Sequence, residues 1–334
     1  MKLSIVTTLY QSAAYVLEFH QRISAAAKKI TTDYEIIFVN DGSKDNSFEI
    51  AKTIHVSDIH VNVIDLSRNF GHHIAIMTGL AHASGDYVFL IDCDLEEEPE
   101  LLTIFWKEMI ARQGADVVYG VQQKRQGNFI EKFAGKYFYK IINYLSDIKI
   151  DENVMVVRLM TRLYVKNLLK YTERELVFVG IAALTGFKQI SVLVVKKDNG
   201  STTYNFEKKL NLAINFITSL SSKPLVFIFN LGLLITLISL IGTSFLLLRR
   251  IFFGLMAPGW ASIMLSIWLL GGVIIFCLGI IGMYISKIFI EVKQRPYSLI
   301  KEIHAAEITS SAADKMSCHP DGEKTCEKSS SFLD

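Results

Sequence analysis

The sequence has little proline, little cysteine and almost no net charge, and each shortage excludes a class of protein. Five prolines and an aromatic content of 11% argue against a largely disordered chain. Four cysteines in 334 residues are too few and too scattered for a disulfide framework, which indicates a reducing compartment. A formal charge of +2 excludes a strongly basic nucleic-acid-binding protein. We therefore expect an ordered protein without a nucleic-acid partner.

Apolar residues are in excess, with a mean hydropathy of +0.32, and the excess is concentrated in two stretches. Residues 225–248 and residues 251–286 contain no charged side chain, and the pair Arg249-Arg250 separates the two stretches. A bilayer core about 30 Å thick is crossed by about 20 helical residues. We therefore predict a two-helix transmembrane hairpin over 223–290, with spans at 226–248 and 261–286. The alternative is a buried helical hairpin of a large soluble core.

The charges around this hairpin predict its orientation and its surroundings. Most flanking lysines precede the first span or follow the second, which places both termini in the cytoplasm, although Arg249 and Arg250 oppose this assignment. Residues 206–222 are amphipathic with Lys208 and Lys209 on the polar face, which predicts an interfacial helix on the lipid bilayer. A similar pattern at 128–145 fits the membrane or the soluble domain equally well. The remaining residues, 291–334, are expected to form a largely disordered cytoplasmic tail. Small residues at short spacings within the spans are compatible with helix–helix contacts in a homo-oligomer.

Residues 1–205 alternate short β-rich runs with segments of helical length. The runs 3–9, 34–40, 61–66 and 87–91 are nearly continuous in apolar residues, and 116–119 and 189–195 are further candidates. This alternation predicts an α/β domain with a Rossmann-like, mainly parallel sheet covered on both faces. Such sheets bind ligands at the carboxyl ends of their strands, so the residues that follow each strand are the candidates for chemistry.

Acidic residues follow two of these predicted strands. Asp41 comes directly after the second, in a turn with Gly42 and Ser43, and its carboxylate can reach a ribose or a base edge. Asp92 and Asp94 follow the fourth, and two hard oxygen ligands suit Mg²⁺ or Mn²⁺ completed by substrate phosphates. The alternative explanations are a turn with a helix cap at the first position and an acidic helix N-terminus at the second.

Two further groups of residues have simpler explanations. His72 and His73 lie in a predicted loop and lack partner ligands at suitable spacing, so we interpret them as ordinary surface histidines. Cys318, His319 and Cys326 lie in the polar tail, where a metal knuckle is a poor explanation.

Taken together, the motifs resemble a known family. They occur in one order along the chain: Asn40-Asp41-Gly42-Ser43, Ser67-Arg68-Asn69-Phe70-Gly71, Gly85-Asp86-Tyr87, Asp92-Cys93-Asp94-Leu95, Asp116-Val117-Val118-Tyr119-Gly120, Arg158-Leu159-Met160, Glu173-Arg174 and Gly200-Ser201-Thr202-Thr203-Tyr204. This set resembles family 2 glycosyltransferases of the dolichol-phosphate mannose synthase type. The nearest subgroup is the bacterial polyprenyl-phosphate glycosyltransferases with two C-terminal membrane helices, and the resemblance covers residues 1–295.

The resemblance implies a GT-A fold and an inverting transfer of a sugar from a nucleotide-sugar, expected to be a UDP-sugar, to a polyprenyl phosphate for the cell envelope. By the same resemblance, Asp41 and Tyr10 contact the nucleoside, Asp92 and Asp94 hold the diphosphate and the metal, and Glu96 is a further metal ligand. The implied location is the bacterial inner membrane. The sequence departs from the family in its opening motif, which reads Thr8-Leu9-Tyr10-Gln11-Ser12, and at Thr203, which replaces a lysine. In addition, Glu96 stands where related synthases often have glutamine, and Lys197 where the family usually has arginine.

A phosphate monoester is already an anionic nucleophile, so the enzyme needs positioning and charge stabilisation rather than a strong base. The candidates for holding the acceptor phosphate are Arg68, Arg158, Arg174 and Lys197. Two alternatives stay open: extension of a lipid-diphosphate-linked saccharide, and a non-catalytic scaffold or lipid-sugar translocation partner.

Overall fold

A computed structural model describes residues 1–122, 153–173, 178–196, 223–253 and 259–305. Several predictions fall outside these residues: the amphipathic segments at 128–145 and 206–222, the candidate phosphate ligands Arg174 and Lys197, and the tail beyond residue 305. The described elements, in chain order, are β1 (Leu3–Leu9), α1 (Val16–Lys28), β2 (Tyr34–Asn40), α2 (Ser47–Ser57), β3 (Val61–Leu66), α3 (His72–His82), β4 (Tyr87–Leu90), α4 (Leu101–Ala111), β5 (Val117–Gln122), β6 (Val154–Thr161), α5 (Arg162–Leu168), α6 (Phe178–Leu184), β7 (Gln189–Val194), α7 (Lys223–Phe253), α8 (Trp260–Val292) and β8 (Ile300–His304).

The described strands form one sheet of eight in the order β7-β5-β6-β4-β1-β2-β3-β8. The neighbouring pairs among β4, β1, β2 and β3 are parallel, and β5 is parallel to β7. β6 runs antiparallel to both β4 and β5, and β8 runs antiparallel to β3 at the sheet edge. The prediction of a Rossmann-like, mainly parallel α/β sheet is confirmed.

The two faces of this sheet have separate cores because strand side chains alternate in direction. In β1, Ile5 belongs to one cluster and Val6 to the other, and both are fully buried. Helices α1, α2 and α4 cover the first face and α3, α5 and α6 cover the second. Every residue of β1 and β2 is buried, as expected for central strands with helices on both sides.

Six of the eight described strands were predicted and two were not, and β5, predicted over 116–119, spans Val117–Gln122. The predicted bounds of β1, β2 and β3 are confirmed, and β4 and β7 each end one residue earlier than predicted. β6 was not predicted as a strand. The expectation of a largely disordered tail from residue 291 is wrong for 300–304, which form β8, and α8 continues to Val292.

Beyond the sheet, α7 and α8 are long helices that contact each other. The predicted spans 226–248 and 261–286 fall inside them. Among the described helices, one segment is long and apolar enough to cross a membrane, Ser266–Val292 of α8, with 27 residues. Lys223–Ile235 of α7 is a shorter apolar segment. Large apolar side chains of α8 such as Trp268 and Ile275 are exposed on the protein.

Candidate active site

The carboxyl ends of β1, β2 and β4 meet at one edge of the sheet, and the predicted site residues lie there. Asp41, the residue after β2, is 2% exposed. Its Oδ1 accepts a hydrogen bond from the amide of Phe70 (2.7 Å), and its Oδ2 accepts one from the amide of Gly71 (3.0 Å). The carboxylate therefore holds the loop of residues 67–71, which follows β3, against the end of β2.

Gly42 is the point at which this turn and this loop touch. Its φ is +60°, and a Cβ built on it would lie 2.4 Å from the amide nitrogen of Asn69. No side chain fits there, because the obstacle is backbone rather than a movable side chain. Two motifs that are about 25 residues apart in sequence are thus packed backbone to backbone.

Tyr10 extends this edge on the β1 side. Its side chain is 47% exposed, and the following amide, that of Gln11, donates a hydrogen bond to Oγ of Ser43 (2.7 Å). The loop after β1 therefore lies beside the turn that contains Asp41. An exposed aromatic ring at this position is suited to packing against a nucleoside base, the role that the resemblance implies for it.

Asp92 and Asp94 follow β4, and both carboxyl groups carry raised pKa values. Burial raises the pKa of Asp92, and the charge of Glu96 adds to the rise, whereas the charges of His72 and Lys196 oppose it. Burial also raises the pKa of Asp94, and the charge of Asp92 adds to it, against a hydrogen bond from the amide of Glu96. Asp94 therefore lies within range of the charge of Asp92, and two neighbouring carboxylates of this kind are stabilised by a bound cation.

Glu97 adds a third acid to this cluster. It is 3% exposed, and its Oε2 is buried without a hydrogen-bond partner among the described residues. Burial raises the pKa of Glu97 to about 8, and the charges of Asp92 and Asp94 contribute to the rise. The alternative explanation, an acidic helix N-terminus, accounts for Glu100, which directly precedes α4 and pairs with Arg22. It does not account for the buried Glu97 or for the partly buried Asp92 and Asp94.

Glu96, predicted as a further metal ligand, lies in an ion pair with Lys196. Lys196 also lowers the pKa of Asp92 and Asp94 through its charge, so this lysine belongs to the acidic cluster. Lys196 was not among the predicted residues, although the neighbouring Lys197 was. The only signal in the sequence was the position of Lys196 just after the predicted strand 189–195, because residues that follow the strands are the candidates for chemistry.

The candidate acceptor ligands that the structure describes differ in access. Arg68 is exposed in the loop of residues 67–71, and its guanidinium lies 4.1 Å from the ring centroid of Phe70. Arg158 of β6 is 1% exposed, donates to the carbonyl oxygens of Val156 and Met155, and stacks on Phe178. Of the two, Arg68 is the one with a guanidinium that a ligand can reach.

The interpretation of His72 and His73 as ordinary surface histidines holds for the exposure of His72, whose side chain is 40% exposed, but it misses the neighbours of both residues, and His73 is only partly exposed. They begin α3 rather than lying in a loop, and Nε2 of His72 lies 3.5 Å from Oδ1 of Asp92. Burial lowers the pKa of His73 to about 4, with contributions from the charges of His72 and Arg158. The pair was misread because its partners, Asp92 and Arg158, come from strands that only the fold brings to it.

The acidic cluster fits a divalent cation in its donor chemistry. Oδ1 of Asp92 is buried without a hydrogen bond to the described residues, and carboxylate oxygens are the ligands that Mg²⁺ and Mn²⁺ prefer. No group of three or more His, Cys, Asp or Glu side chains in the described ranges forms a closed metal site. Two carboxylates completed by substrate phosphates and water remain compatible with this arrangement.

This site lies in a stretch that defines the class of the protein. Residues 4–171, half of the chain, match the family model described as glycosyl transferase family 2. The chain belongs to this family, and the predictions of a glycosyltransferase and of a GT-A type domain are confirmed at that level. β1 to β6 and both acidic motifs lie within the matched range.

Curated relatives match nearly the whole chain. A protein of Mycobacterium tuberculosis (strain CDC 1551 / Oshkosh) described as putative glycosyltransferases is 52% identical over 309 residues, which are 92% of this chain and 90% of that one. The prophage bactoprenol glucosyl transferase homolog of Escherichia coli K12 is 34% identical over 91% of this chain and 99% of that one. The bactoprenol glucosyl transferase of Shigella phage SfII is 35% identical with the same two coverages.

Among solved structures, the chain is similar to glucosyl-3-phosphoglycerate synthase from Mycobacterium tuberculosis in complex with Mn²⁺, UDP-glucose and phosphoglyceric acid. The TM-score is 0.46 and the identity 16%, over 66% of this chain and 79% of that one.

Proposed function

We propose that this protein is an inverting membrane glycosyltransferase that moves a sugar from a nucleotide-sugar, most simply a UDP-sugar, to a polyprenyl phosphate. The observation that carries the proposal is the pair Asp92 and Asp94, which lie partly buried just after the carboxyl end of β4, at the same edge of the sheet as the turn of Asp41. The names of the bactoprenol glucosyl transferase relatives, which match over 90% of this chain, support a polyprenyl acceptor and a glucosyl group.

On the donor side, we assign Tyr10 and Asp41 to the nucleoside and the two aspartates to the diphosphate. A divalent cation, Mg²⁺ or Mn²⁺, would be held by Asp94 and Asp92 and would supply neutralisation of the departing diphosphate. Glu96 joins these ligands only if its ion pair with Lys196 opens. If the pair opens, the ammonium of Lys196 becomes available to the same phosphates.

On the acceptor side, the protein's task is to hold an anion against the sugar without supplying a base. A phosphate monoester is ionised at neutral pH, so placement and charge stabilisation suffice. Arg68 is the described candidate that fits this task, because it is exposed, is stacked on Phe70 and lies in the loop that Asp41 holds. Arg174 and Lys197 remain candidates from the sequence.

The long helices support a membrane location for the acceptor. The apolar segment Ser266–Val292 supports membrane attachment, and we assign the α7–α8 pair to a two-span hairpin with both termini in the cytoplasm, in the bacterial inner membrane. A catalytic domain tethered in this way lies where a prenyl chain presents its phosphate.

The test is transfer by the purified full chain in detergent, with undecaprenyl phosphate, a panel of UDP- and GDP-sugars, and Mg²⁺ or Mn²⁺. Mass spectrometry of the lipid product identifies the donor and the linkage. Asp92→Asn and Asp94→Asn should each lower turnover about 100-fold or more, since both remove charge that the transition state requires. The matched control is Asp86→Asn, at the amino end of the same strand, where Asp86 accepts from the amide of Lys2; it should retain activity.

Three results would contradict the proposal. Unchanged turnover in both aspartate variants removes the metal role, and a product that carries the sugar on a lipid-diphosphate-linked saccharide supports the alternative of chain extension. Absence of both transfer and donor hydrolysis in the wild-type protein supports a non-catalytic role.

A further inference from the structure

His72 joins two strand ends of the site. Its Nδ1 lies 3.1 Å from Oγ1 of Thr8 in β1, and its Nε2 lies 3.5 Å from Oδ1 of Asp92 after β4. The hydroxyl partner is itself fixed, because Thr8 is 8% exposed in a central strand. The imidazole therefore spans the space between a rigid strand and a carboxylate of the proposed donor site.

The backbone holds the ring in this place. His72 is the first residue of α3 and follows Gly71, whose φ is +103° and whose amide donates to Asp41. The carboxylate that positions the loop of residues 67–71 thus also sets where the helix begins. Oδ1 of Asp92 is buried and makes no hydrogen bond to the described residues, so the imidazole faces an oxygen that has unused acceptor capacity.

The two contacts are compatible with one proton arrangement in the neutral ring. The Thr8 hydroxyl donates to Nδ1, which leaves the ring proton on Nε2, directed at Oδ1 of Asp92. A histidine that donates to a ligand carboxylate in this way fixes the carboxylate's orientation and leaves its second oxygen for the ligand. Closure by a few tenths of an ångström would bring the 3.5 Å separation to hydrogen-bond length.

We propose that His72 is a positioning residue that acts through Asp92: it holds Oδ1 so that Oδ2 faces the diphosphate and the cation of the donor. The inference rests on the proposed function, since it assigns a role within the same donor site. In this arrangement Thr8 bonds His72 rather than the donor, which assigns a role to this residue of the altered opening motif.

The test separates the two ends of the imidazole. In His72→Gln the side-chain amide reaches about as far as Nε2, and in His72→Asn it reaches only as far as Nδ1. His72→Ala and His72→Asn should weaken the binding of Mn²⁺ with UDP about 10- to 100-fold and lower kcat/KM similarly, as loss of such supporting partners does, whereas His72→Gln should restore most of both. Binding is measured by calorimetric titration of the full chain in detergent, with no acceptor present.

The matched control is His82→Gln, on the last residue of the same helix, where Nδ1 bonds the carbonyl of Thr78. It should leave Mn²⁺–UDP binding unchanged. In the Asp92→Asn background, adding His72→Ala should cost less than threefold further, because the residue through which it acts is already altered.

Full additivity of those two substitutions, or an asparagine variant as good as the glutamine variant, would overturn the positioning role. If the wild-type protein binds Mn²⁺–UDP but transfers no sugar to undecaprenyl phosphate, the acceptor assignment fails and the role of His72 is still decided by the titration. If the wild-type protein binds no nucleotide with metal, the donor site and this inference fall together.

Discussion

At the scale of single residues, the contact between Gly42 and the backbone of Asn69 shows how little room the site leaves. The turn after β2 and the loop after β3 both belong to the proposed donor site, and they meet where a Cβ would lie 2.4 Å from a backbone nitrogen. Asp41 then ties the same loop through two amides. Asp41 thus supplies the hydrogen bonds that hold the loop, and the neighbouring Gly42 lets the loop approach because it has no side chain.

Gly42→Ala should therefore disrupt both segments. A left-handed conformation costs a non-glycine residue about 1–2 kcal/mol, and forced packing adds about 1–3 kcal/mol. The matched control is Gly114→Ala, because Gly114 also has a positive φ, of 78°, but a Cβ there would meet nothing within 4 Å. We expect the midpoint of thermal unfolding in detergent to fall about 5 °C further for Gly42→Ala than for Gly114→Ala.

Equal midpoints for the two variants would contradict this account, since only the clash distinguishes them. A second readout is the affinity for Mn²⁺–UDP, which should fall in the Gly42 variant alone because the displaced loop carries the amides that Asp41 holds.

The residues that the sequence predicted and those that it missed differ in how their partners are encoded. Asp92 and Asp94 could be predicted because both lie in one short segment after an apolar run, so their chemistry is visible locally. His72 and Lys196 could not, because each becomes informative only when α3 or the end of β7 is placed against the segment after β4. That placement depends on strand order, which residue patterns do not determine.

At the scale of elements, β8 attaches the end of α8 to the catalytic sheet. It pairs antiparallel with β3, and beyond the pairing the amide of Ser67 donates to the carbonyl of Leu299 (2.9 Å). Lys301 bonds the buried Asp65 (3.3 Å), which in turn accepts from the side-chain amide of Asn40 (2.7 Å). The strand therefore supports the residues that immediately precede Asp41 and the loop of residues 67–71.

Removing β8 should destabilise the catalytic domain, and two truncations make the test. A chain that ends at Ala305 keeps every described contact of β8, whereas one that ends at residue 296 loses them. Each lost hydrogen bond lowers the free energy of unfolding by about 0.5–1.5 kcal/mol, so we expect the shorter chain to be less stable by about 2–4 kcal/mol in total. The midpoint of thermal unfolding in detergent should fall about 5–10 °C for the shorter chain only.

A shorter chain that unfolds at the same temperature as the chain ending at Ala305 would show that β8 is not part of the folded sheet. A midpoint that is lowered equally in both chains would instead assign the stability to residues beyond 305.

Element prediction failed where a strand depends on its neighbour. β1, β2 and β3 are mostly apolar, with isolated polar residues such as Glu35 and Asp65, and the sequence was sufficient to predict them. β8 reads Ile-Lys-Glu-Ile-His, with two charges in five residues inside a polar tail, and it is a strand because the edge of β3 offers it hydrogen bonds. β6 contains Arg158, a buried charge that the strand pattern does not anticipate, and it is held by β4 and β5 on both sides.

At the scale of the whole molecule, β8 restricts how the chain can cross a membrane. β3 precedes α7 in the chain, β8 follows α8, and the two strands are paired in one sheet. The chain on both sides of the α7–α8 segment must then lie on the same side of any bilayer, so the two helices together cross an even number of times. Since Ser266–Val292 is long enough to cross once, the pairing supports a second crossing by α7.

This parity gives a topology prediction that does not depend on counting basic residues. Reporters placed before residue 1 and after residue 305 should lie on the same side of the membrane, and a reporter inserted within 254–258, between α7 and α8, should lie on the other side. Protease protection in inverted and right-side-out membrane vesicles measures all three positions. Terminal reporters on opposite sides would contradict the pairing of β8 with β3, whereas all three reporters on one side would mean that neither helix crosses. If the expected pattern is found, β8 connects α8 to β3, the strand that leads into the loop containing Arg68. The pairing of β8 with β3 would then determine both the topology and the distance between the bilayer and Arg68, the proposed acceptor ligand.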